Sequence, residues 1–355
     1  MKEFQKIKTI GLMSGTSCDG LDICYSEFSR EGKTWNFQIL AAETRSYSPV
    51  WLERIHHAPE LGGRDLILFS KELGIQFGLE VNMFMEKHKL GKPDAIASHG
   101  HTIFHEPSLG LTFQAGDGNN IAAITGCKVL FDFRSLDVAL GGQGAPLVPV
   151  GDRLLFSTYD SCLNLGGIAN LSFEKSGQII AFDICPFNLL LNHFSNKLGY
   201  DYDTDGNIAR AGEVNDSLLE ALIRVEYNSL VPPKSLGREY VEVEFLSVID
   251  KFNLKPTDIL RTLVQYYVTC ISSVLDENAI AKVLITGGGV YNRYFVELLR
   301  MKTKSVIEVP EPRIIEFKEA LIFGFLGCLK LNGFENVWSS VTGSSRNSIS
   351  GLEVN

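Results

Sequence analysis

Two glycine-tipped hairpins, one at the start of the chain and one near its middle, constrain the fold more than any other feature of the sequence. The first joins predicted strands at 9–13 and 21–25. The second joins predicted strands at 162–165 and 171–173, and a third strand follows at 178–183. Because each hairpin opens its own half of the chain, the pattern predicts an internal duplication.

Helical and strand patterns occur in both halves, which predicts an α/β fold. The helical patterns lie at 66–87, 188–198, 214–224, 256–278 and 291–300, and the buried-strand patterns lie at 95–97, 128–131 and 282–286. A chain of 355 residues exceeds the usual limit for one compact domain. We therefore predict two closely joined lobes, an N-terminal lobe of 1–133 with 336–355 and a C-terminal lobe of 134–335.

Composition argues against several classes of partner. A formal net charge of -9 argues against nucleic acid, whose binding proteins carry basic surfaces. No run approaches the roughly 20 apolar residues of a membrane span, and the start of the chain is too polar for a signal peptide. The seven cysteines are scattered without a CxxC pair. We therefore expect reduced thiols, no membrane partner and a cytoplasmic protein.

The tip of the first hairpin combines residues that suit phosphate chemistry. Gly15, Thr16 and Ser17 form a tight turn whose backbone N–H groups and hydroxyls could surround an anion. Asp19 or Asp22 could then hold Mg²⁺ beside the phosphates. An ordinary hairpin with Asp and Gly as turn formers explains the tip equally well.

Glycine turns in the second half supply further candidate nucleotide contacts. The turn at 287–289 follows a buried strand and precedes a helix, where glycine lets a nucleotide approach the backbone. It does not match the G-x-G-x-x-G pattern of dinucleotide folds. The nucleotide contacts that we predict from the two turns are Gly166, Gly167, Asn170, Gly287, Gly288 and Gly289. Together with the first hairpin, these turns favour a nucleotide bound in a cleft between two duplicated lobes.

Three further positions carry side chains suited to a reaction site. Asp183 ends an apolar strand and is a candidate general base, or else a helix N-cap for the segment after Pro186. Arg134 follows a strand and could grip an anionic group, or else be a solvated surface residue. His99 and His101 would share one face of a strand, but no further ligands accompany them. We therefore expect His99 to hydrogen-bond to the substrate at the cleft rather than to hold a metal.

Eight segments of the chain, in order, resemble the anhydro-N-acetylmuramic acid kinase family. They are 11–22 (GLMSGTSCDGLD), 98–102 (SHGHT), 132–134 (DFR), 141–147 (GGQGAPL), 164–170 (NLGGIAN), 232–239 (PPKSLGRE), 287–289 (GGG) and 340–343 (SVTG). The resemblance implies the two-lobed actin-like fold, a duplicated ribonuclease H-like fold shared with sugar kinases and Hsp70. It also implies ATP between the lobes and Mg²⁺ beside its phosphates.

The family's reaction and site residues follow from the same resemblance. Water opens the 1,6-anhydro bond of the sugar, and the released O6 takes the γ-phosphoryl group of ATP to give N-acetylmuramic acid 6-phosphate in cell-wall recycling. By this resemblance Asp183 activates the water, and Arg134 and Glu319 contact the sugar. The residues that match the ATP-phosphate turn are Gly15, Thr16, Ser17, Cys18, Asp19, Gly20, Leu21 and Asp22.

The chain departs from the family pattern at two places. It has Ile184, Cys185 and Phe187 where the family has Thr, Gly and Gly after the aspartate, and His101 where the family has glutamine. These changes leave open a kinase of the same fold for another amino sugar. A non-enzymatic actin-like or Hsp70-like ATP-binding protein is the second alternative, and a homodimer is compatible with the sequence.

Overall fold

The computed structural model describes residues 6–15, 18, 20–232 and 234–355. Its strands are β1 (Ile7–Ser14), β2 (Leu21–Glu31), β3 (Thr34–Arg45), β4 (Ala95–Glu106), β5 (Leu111–Ala115), β6 (Val129–Phe131), β7 (Ser161–Leu165), β8 (Ile168–Lys175), β9 (Gln178–Pro186), β10 (Lys282–Thr286), β11 (Val306–Glu308) and β12 (Leu352–Val354). Both predicted hairpins are therefore present, as β1–β2 and β7–β8.

The helices separate these strands along the chain. They are α1 (Pro49–His57), α2 (Gly63–Lys87), α3 (Gly118–Thr125), α4 (Ser135–Ala139), α5 (Val148–Leu155), α6 (Asn188–Asn196), α7 (Asn207–Ala211), α8 (Asp216–Ile223), α9 (Arg238–Tyr240), α10 (Ser247–Ile249), α11 (Pro256–Glu277), α12 (Arg293–Lys302), α13 (Pro312–Leu331) and α14 (Ser339–Thr342). A π-helical stretch at Val241–Leu246 joins α9 to α10. No helix among the described residues combines the length and apolar character needed to cross a bilayer.

The first sheet has the strand order β12-β6-β4-β1-β2-β3, with β5 paired to β4. Strands β1, β2 and β3 are antiparallel neighbours, whereas β4 runs parallel to β1 and β6 runs parallel to β4. Gly11 on β1 lies opposite Cys24 on β2 and Ala97 on β4. The hairpin therefore continues into a mixed sheet that is buried at its centre.

The second sheet repeats this arrangement with the order β11-β10-β7-β8-β9. Strands β7, β8 and β9 are antiparallel, β10 is parallel to β7, and β11 is parallel to β10. Each half thus contains three antiparallel strands followed by two parallel ones, in the spatial order 3-2-1-4-5. The shared order confirms the predicted duplication.

Helix α13 packs closely on the first sheet because glycines lie at the contact. A Cβ atom on Gly11 would overlap the carbonyl oxygen of Ala320. The hydroxyl of Thr9 donates to the carbonyl oxygen of Gly324 at 2.8 Å, and this bond is buried. The approach fixes the helical turn that carries Glu319.

The chain divides into two compact units, one comprising the described residues up to Leu155 with Phe317–Asn355 and the other Phe156–Glu316. These limits differ from the sequence-based lobes of 1–133 with 336–355 and 134–335. Helix α5 belongs to the first unit because its Asp152 forms an ion pair with Lys318 at 3.1 Å. Most of α13 belongs there because it covers β1.

Candidate functional site

Gly15, Cys18 and Gly20 are the described residues between β1 and β2, where the sequence predicts a phosphate-binding tip. The backbone N–H of Cys18 donates to the carbonyl oxygen of Gly15 at 3.1 Å, and Cys18 has a left-handed φ of 60°. A Cβ atom on Gly20 would lie 2.6 Å from the carbonyl oxygen of Arg45. Consecutive backbone N–H groups in such turns form anion-binding concavities. The predicted contacts Thr16, Ser17 and Asp19 lie outside the described residues.

The two remaining residues of this segment lie within β2. Leu21 is buried opposite Ser14, and Asp22 lies opposite Met13 and Thr44. The Asp22 carboxylate accepts a hydrogen bond from the hydroxyl of Thr44 at 2.6 Å. Asp22 is therefore a partly exposed strand carboxylate with one oxygen oriented by its neighbour.

A buried hydrogen-bond cluster lies at the end of β1, next to the turn, and the sequence did not predict it. The hydroxyl of Ser14, the last residue of β1, is bonded to the hydroxyl of Tyr47 at 2.6 Å and to Nδ1 of His101 at 2.8 Å. Burial lowers the pKa of His101 to about 4, so its imidazole is neutral near pH 7. The sequence singled out His101 by its spacing from His99 and by its departure from the family glutamine, but neither signal pointed to Ser14 or Tyr47 as its neighbours.

His99 and Arg134 form a second buried cluster in the first unit. Arg134 donates from Nε and Nη2 to Nε2 of His99 at 3.1 and 2.9 Å. The Nδ1 of His99 lies 2.8 Å from the carbonyl oxygen of Gly100. Gly100 has a φ of +77°, which interrupts the strand alternation, so His99 and His101 contact different partners. The sequence had placed both rings on one face.

The guanidinium of Arg134 is also held by the glycine-rich loop that follows α4. Its Nη1 donates to the carbonyl oxygen of Gly144 at 2.6 Å. The carboxylate of Asp137 holds this loop by accepting the Gly144 N–H at 2.7 Å and the hydroxyl of Thr342 at 2.7 Å. Three of the five N–H groups of Arg134 are thus engaged within the chain, and the other two have no hydrogen-bond partner among the described residues.

Glu319 lies near Arg134 in the same unit. Burial lowers the pKa of Arg134 to about 10, and the nearby charge of Glu319 opposes this shift. Burial also raises the pKa of Glu319, while the positive charges of Lys318 and Arg134 act against the increase. The structure therefore brings together two of the predicted sugar contacts, and His99 lies next to them through Arg134.

Asp183 lies inside β9, three residues before the strand ends at Pro186. The predicted strand end at Asp183 is wrong because the ladder continues beyond a bulge. Asn170 pairs with Asp183 and Ala169 pairs with Cys185, so Ile184 is the extra residue. Bulges of this kind redirect a side chain and occur next to active sites.

The carboxylate of Asp183 caps no helix, so the N-cap alternative does not hold. Helix α6 has Phe187 at its N-cap and no side-chain capping bond there. Instead, Oδ2 of Asp183 accepts the backbone N–H of Leu236 at 2.8 Å. Burial raises the pKa of Asp183 to about 6, and the Leu236 hydrogen bond opposes the increase. A carboxylate with this pKa is ionised at pH 7 yet basic enough to accept a proton.

The glycine turn between β7 and β8 is shorter than predicted. Only Gly166 and Gly167 lie between the strands, and Asn170 lies within β8 opposite Asn164 and Asp183. The carbonyl oxygens of Gly166 and Gly167 accept the backbone N–H groups of Asn188 and Phe187 at 3.2 and 2.8 Å. The turn is therefore joined to the start of α6.

The three glycines after β10 have different surroundings. Gly287 has a φ of +84°, and a Cβ atom there would lie 2.6 Å from Oδ1 of Asn164. A Cβ atom on Gly289 would overlap the ring of Phe187, whereas one on Gly288 would meet no atom within 4 Å. Backbone next to open space can admit a ligand, so of the three predicted nucleotide contacts Gly288 is the one whose surroundings best fit the prediction.

Helix α12 begins at Arg293, two residues after the predicted start at 291. A 3₁₀ turn, Gly288–Tyr291, follows Gly287. The helix has its N-cap at Asn292, whose side chain accepts the N–H of Phe295 at 3.0 Å. The helix dipole is therefore displaced from the glycines by one turn.

Residues near Asp183 on the family-like segment 232–239 contribute further contacts to the site. Asp183 donates its backbone N–H to the carbonyl oxygen of Lys234 at 3.2 Å, and its own carbonyl oxygen accepts the hydroxyl of Tyr227 at 2.7 Å. The family-like motif at 232–239 was the only sequence signal that could have singled this segment out.

A duplicated α/β core of order 3-2-1-4-5, with a glycine turn opening each copy, is the architecture of the actin-like ATPases and the sugar kinases that share their fold. Within that class the assignment is specific. A model of the family described as anhydro-N-acetylmuramic acid kinase matches residues 7–354, and this chain belongs to that family of ATP-dependent sugar kinases.

Curated relatives agree with this membership. The anhydro-N-acetylmuramic acid kinase of Shewanella woodyi is 34% identical over 365 residues, covering 96% of this chain and 97% of the relative. That of Colwellia psychrerythraea is 32% identical over 374 residues, covering 95% and 94%. Among solved structures, component A of the (R)-2-hydroxyglutaryl-CoA dehydratase of Acidaminococcus fermentans aligns at 13% identity and a TM-score of 0.46, covering 89% of this chain and 95% of that one.

Proposed function

We propose that this chain uses water to open the 1,6-anhydro bond of 1,6-anhydro-N-acetylmuramic acid and transfers the γ-phosphoryl group of ATP to O6. The observation that carries the proposal is the state of Asp183. Its carboxylate is desolvated, oriented by one backbone N–H, and has a pKa of about 6. In a chain of this family, such a group suits the activation of water near neutral pH.

In the proposed reaction Asp183 takes one proton from a water molecule. The water oxygen forms a bond to the anomeric carbon C1, and the bond between C1 and O6 breaks. The oxygen O6 then forms a bond to the γ-phosphorus of ATP, and the bond to the β–γ bridging oxygen breaks to release ADP. The carboxylate must be ionised at the start, so its pKa sets the acid limb of the activity.

We assign sugar binding to Arg134 and Glu319. Arg134 retains two N–H groups beyond those bonded to His99 and Gly144, and a planar guanidinium suits the carboxylate of a muramic acid. Both ring nitrogens of His99 are engaged within the chain, so His99 would act on the sugar through Arg134. Glu319 offers a carboxylate to sugar hydroxyls.

Support for nucleotide binding comes from the hydrogen bond between Cys18 N–H and Gly15 O and from the open space next to Gly288. The phosphates of ATP would lie at the first, and the nucleotide would contact the second. Mg²⁺, when bound, supplies positive charge that neutralises the phosphates. It needs only one or two protein carboxylates beside phosphate and water oxygens, and the partly exposed Asp22 fits that role. The described residues contain no cluster of three or more His, Cys, Asp or Glu side chains suited to a metal.

The decisive experiment follows both products in ¹⁸O water. The protein is incubated with ATP, Mg²⁺ and the anhydro sugar, and the sugar phosphate and any inorganic phosphate are analysed by mass spectrometry. We expect ¹⁸O in the sugar moiety and phosphate on O6. Release of ¹⁸O-labelled inorganic phosphate with unchanged sugar would reject the proposal.

A matched pair of variants isolates the base. Asp183→Asn should abolish both ring opening and phosphorylation while leaving ATP affinity nearly unchanged. Asp250→Asn, which neutralises an exposed carboxylate of the same unit, should retain activity. Substantial turnover by the Asp183 variant would remove this residue from the mechanism.

A further inference from the structure

Strand β9, which carries Asp183, lies at the edge of its sheet, and a separate segment forms hydrogen bonds with its outer side. Strand β9 is the last of the order β11-β10-β7-β8-β9, so one side of its backbone has no neighbouring strand within the described sheet. Lys234 and Leu236 fill this side at Asp183. The Asp183 N–H donates to Lys234 O at 3.2 Å, and the Leu236 N–H donates to Asp183 Oδ2 at 2.8 Å.

Two contacts of Lys234 anchor the segment. Its ammonium donates to the carbonyl oxygen of Tyr227 at 3.1 Å and lies 4.6 Å from the centroid of the Tyr227 ring. The hydroxyl of Tyr227 in turn donates to the carbonyl oxygen of Asp183 at 2.7 Å. The main-chain N–H, the main-chain carbonyl and the carboxylate of Asp183 are thus all held by two segments, and Lys234 joins these segments to each other.

We propose that Lys234 is a positioning residue for Asp183, an inference that rests on the proposed function. Its ammonium holds the segment 234–236 against the strand edge, so that Leu236 N–H fixes Oδ2 and leaves Oδ1 to accept the proton of the attacking water. Without this anchor the segment is held only by its backbone bonds and by the buried side chain of Leu236, and the carboxylate gains freedom to rotate. Proton transfer depends steeply on such geometry.

The surroundings of Asp183 set the direction of a measurable effect. The titratable groups that interact electrostatically with Asp183 are Tyr227 and Cys185, and Cys185 in turn interacts with Lys234 and Cys270. Weakening of the Leu236 hydrogen bond, which lowers the pKa of Asp183, favours the protonated carboxyl. The acid limb of activity should therefore move to higher pH when Lys234 is replaced by an uncharged side chain.

The test compares Lys234→Met, Lys234→Arg and Lys197→Met. Lys197 is a matched control because its ammonium also lies 4.6 Å from an aromatic centroid in the same unit, that of Phe194. We expect Lys234→Met to lower kcat by about 10- to 100-fold with an unchanged KM for ATP. Arginine should restore much of the activity because it can donate to the same carbonyl and stack on the same ring. Lys197→Met should behave as the wild type.

A spectroscopic titration separates this inference from the proposed function. The ionisation of Asp183 is followed by infrared difference spectra against Asp183→Asn, in which sugar turnover plays no part. Lys234→Met should raise the pKa of Asp183, and Lys197→Met should leave it unchanged. If the wild type fails to phosphorylate the anhydro sugar, the proposed function fails, while this titration still decides the role of Lys234.

A second variant covers the case in which Lys234→Met does not fold. Tyr227→Phe keeps the ring beneath Lys234 and removes only the hydroxyl bonded to Asp183 O, so it should also lower kcat with the KM for ATP unchanged. The inference is overturned if Lys234→Met or Tyr227→Phe folds and keeps wild-type kcat, or if Lys197→Met reproduces the pKa change.

Discussion

Arg134 donates two hydrogen bonds to one ring nitrogen, Nε2 of His99. Because a guanidinium has donors only, Nε2 must accept, and the single proton of the neutral ring must lie on Nδ1. Nδ1 lies 2.8 Å from the carbonyl oxygen of Gly100, so this nitrogen donates its proton to that oxygen. Burial and the Arg134 charge both hold the pKa of His99 well below its usual range, which agrees with this tautomer. His99 is therefore a fixed acceptor that orients the arginine.

Replacing His99 should impair sugar binding selectively. We expect His99→Ala to raise the KM for the sugar by about 10-fold or more, because the arginine loses a partner that accepts two bonds. His99→Gln, which keeps an acceptor oxygen, should lose less. Steady-state kinetics with each substrate varied separately would measure both, and His105→Ala on the exposed end of β4 is the control. An equal increase in the KM for ATP would contradict this role.

The C-terminal helix α14 should influence the same arginine from a distance. The Thr342 hydroxyl bonds to Asp137, whose other oxygen holds Gly144 N–H, and the Gly144 carbonyl oxygen accepts from Arg134. Thr342→Val leaves a buried Asp137 oxygen short of a donor, which should cost about 1 to 3 kcal/mol of stability. The KM for the sugar should also rise several-fold.

Thr342→Ser retains the hydroxyl and serves as the control for this variant. Thermal unfolding and sugar kinetics of the pair measure the two effects separately. A loss of stability in the valine variant with no change in the KM for the sugar would confine Thr342 to a structural role.

Asp183→Asn should stabilise the protein at alkaline pH and not at acid pH. Burial raises the pKa of Asp183 to about 6. The ordinary value is about 4, so the folded state binds this proton more tightly, and stability falls as pH rises through the interval. Asparagine avoids the cost of ionisation and keeps an acceptor for Leu236 N–H. We expect a gain of about 1 to 2 kcal/mol at pH 8, after allowance for partial exposure.

Thermal unfolding of the wild type and Asp183→Asn at pH 4 and pH 8 measures this difference. The gain should shrink towards zero at pH 4, where both side chains are neutral. An equal gain at the two pH values would show that ionisation of Asp183 is not its cause.

Local patterns predicted the sheets well, since alternation and glycine turns are short-range properties. Strand β10 (Lys282–Thr286) has the predicted bounds, and α11 (Pro256–Glu277) ends within one residue of its predicted limit. The bulge at Ile184 was not predictable from the sequence of β9, because it depends on the register with Asn170 on the neighbouring strand.

The partners of the site residues were the least predictable part. Leu236 reaches Asp183 through its backbone N–H, which every residue except proline possesses. Residue type therefore carries no signal of this contact. The bond from Thr342 to Asp137 joins residues 205 positions apart, and only the fold of the first unit brings them together.

The glycines after β10 should separate into one that admits a ligand and one that is required for packing. A Cβ atom on Gly288 meets nothing within 4 Å, so Gly288→Ala should fold normally and bind ATP less tightly.

A Cβ atom on Gly289 would overlap the Phe187 ring and lie 2.8 Å from Cβ of Leu165. Gly289→Ala should therefore cost about 1 to 3 kcal/mol of stability through overpacking. Phe187→Leu should recover part of that loss in the double variant, since the two residues are in direct contact. Calorimetric ATP titration and thermal unfolding measure the two effects, and strictly additive losses in the double variant would show that Phe187 is not the obstacle.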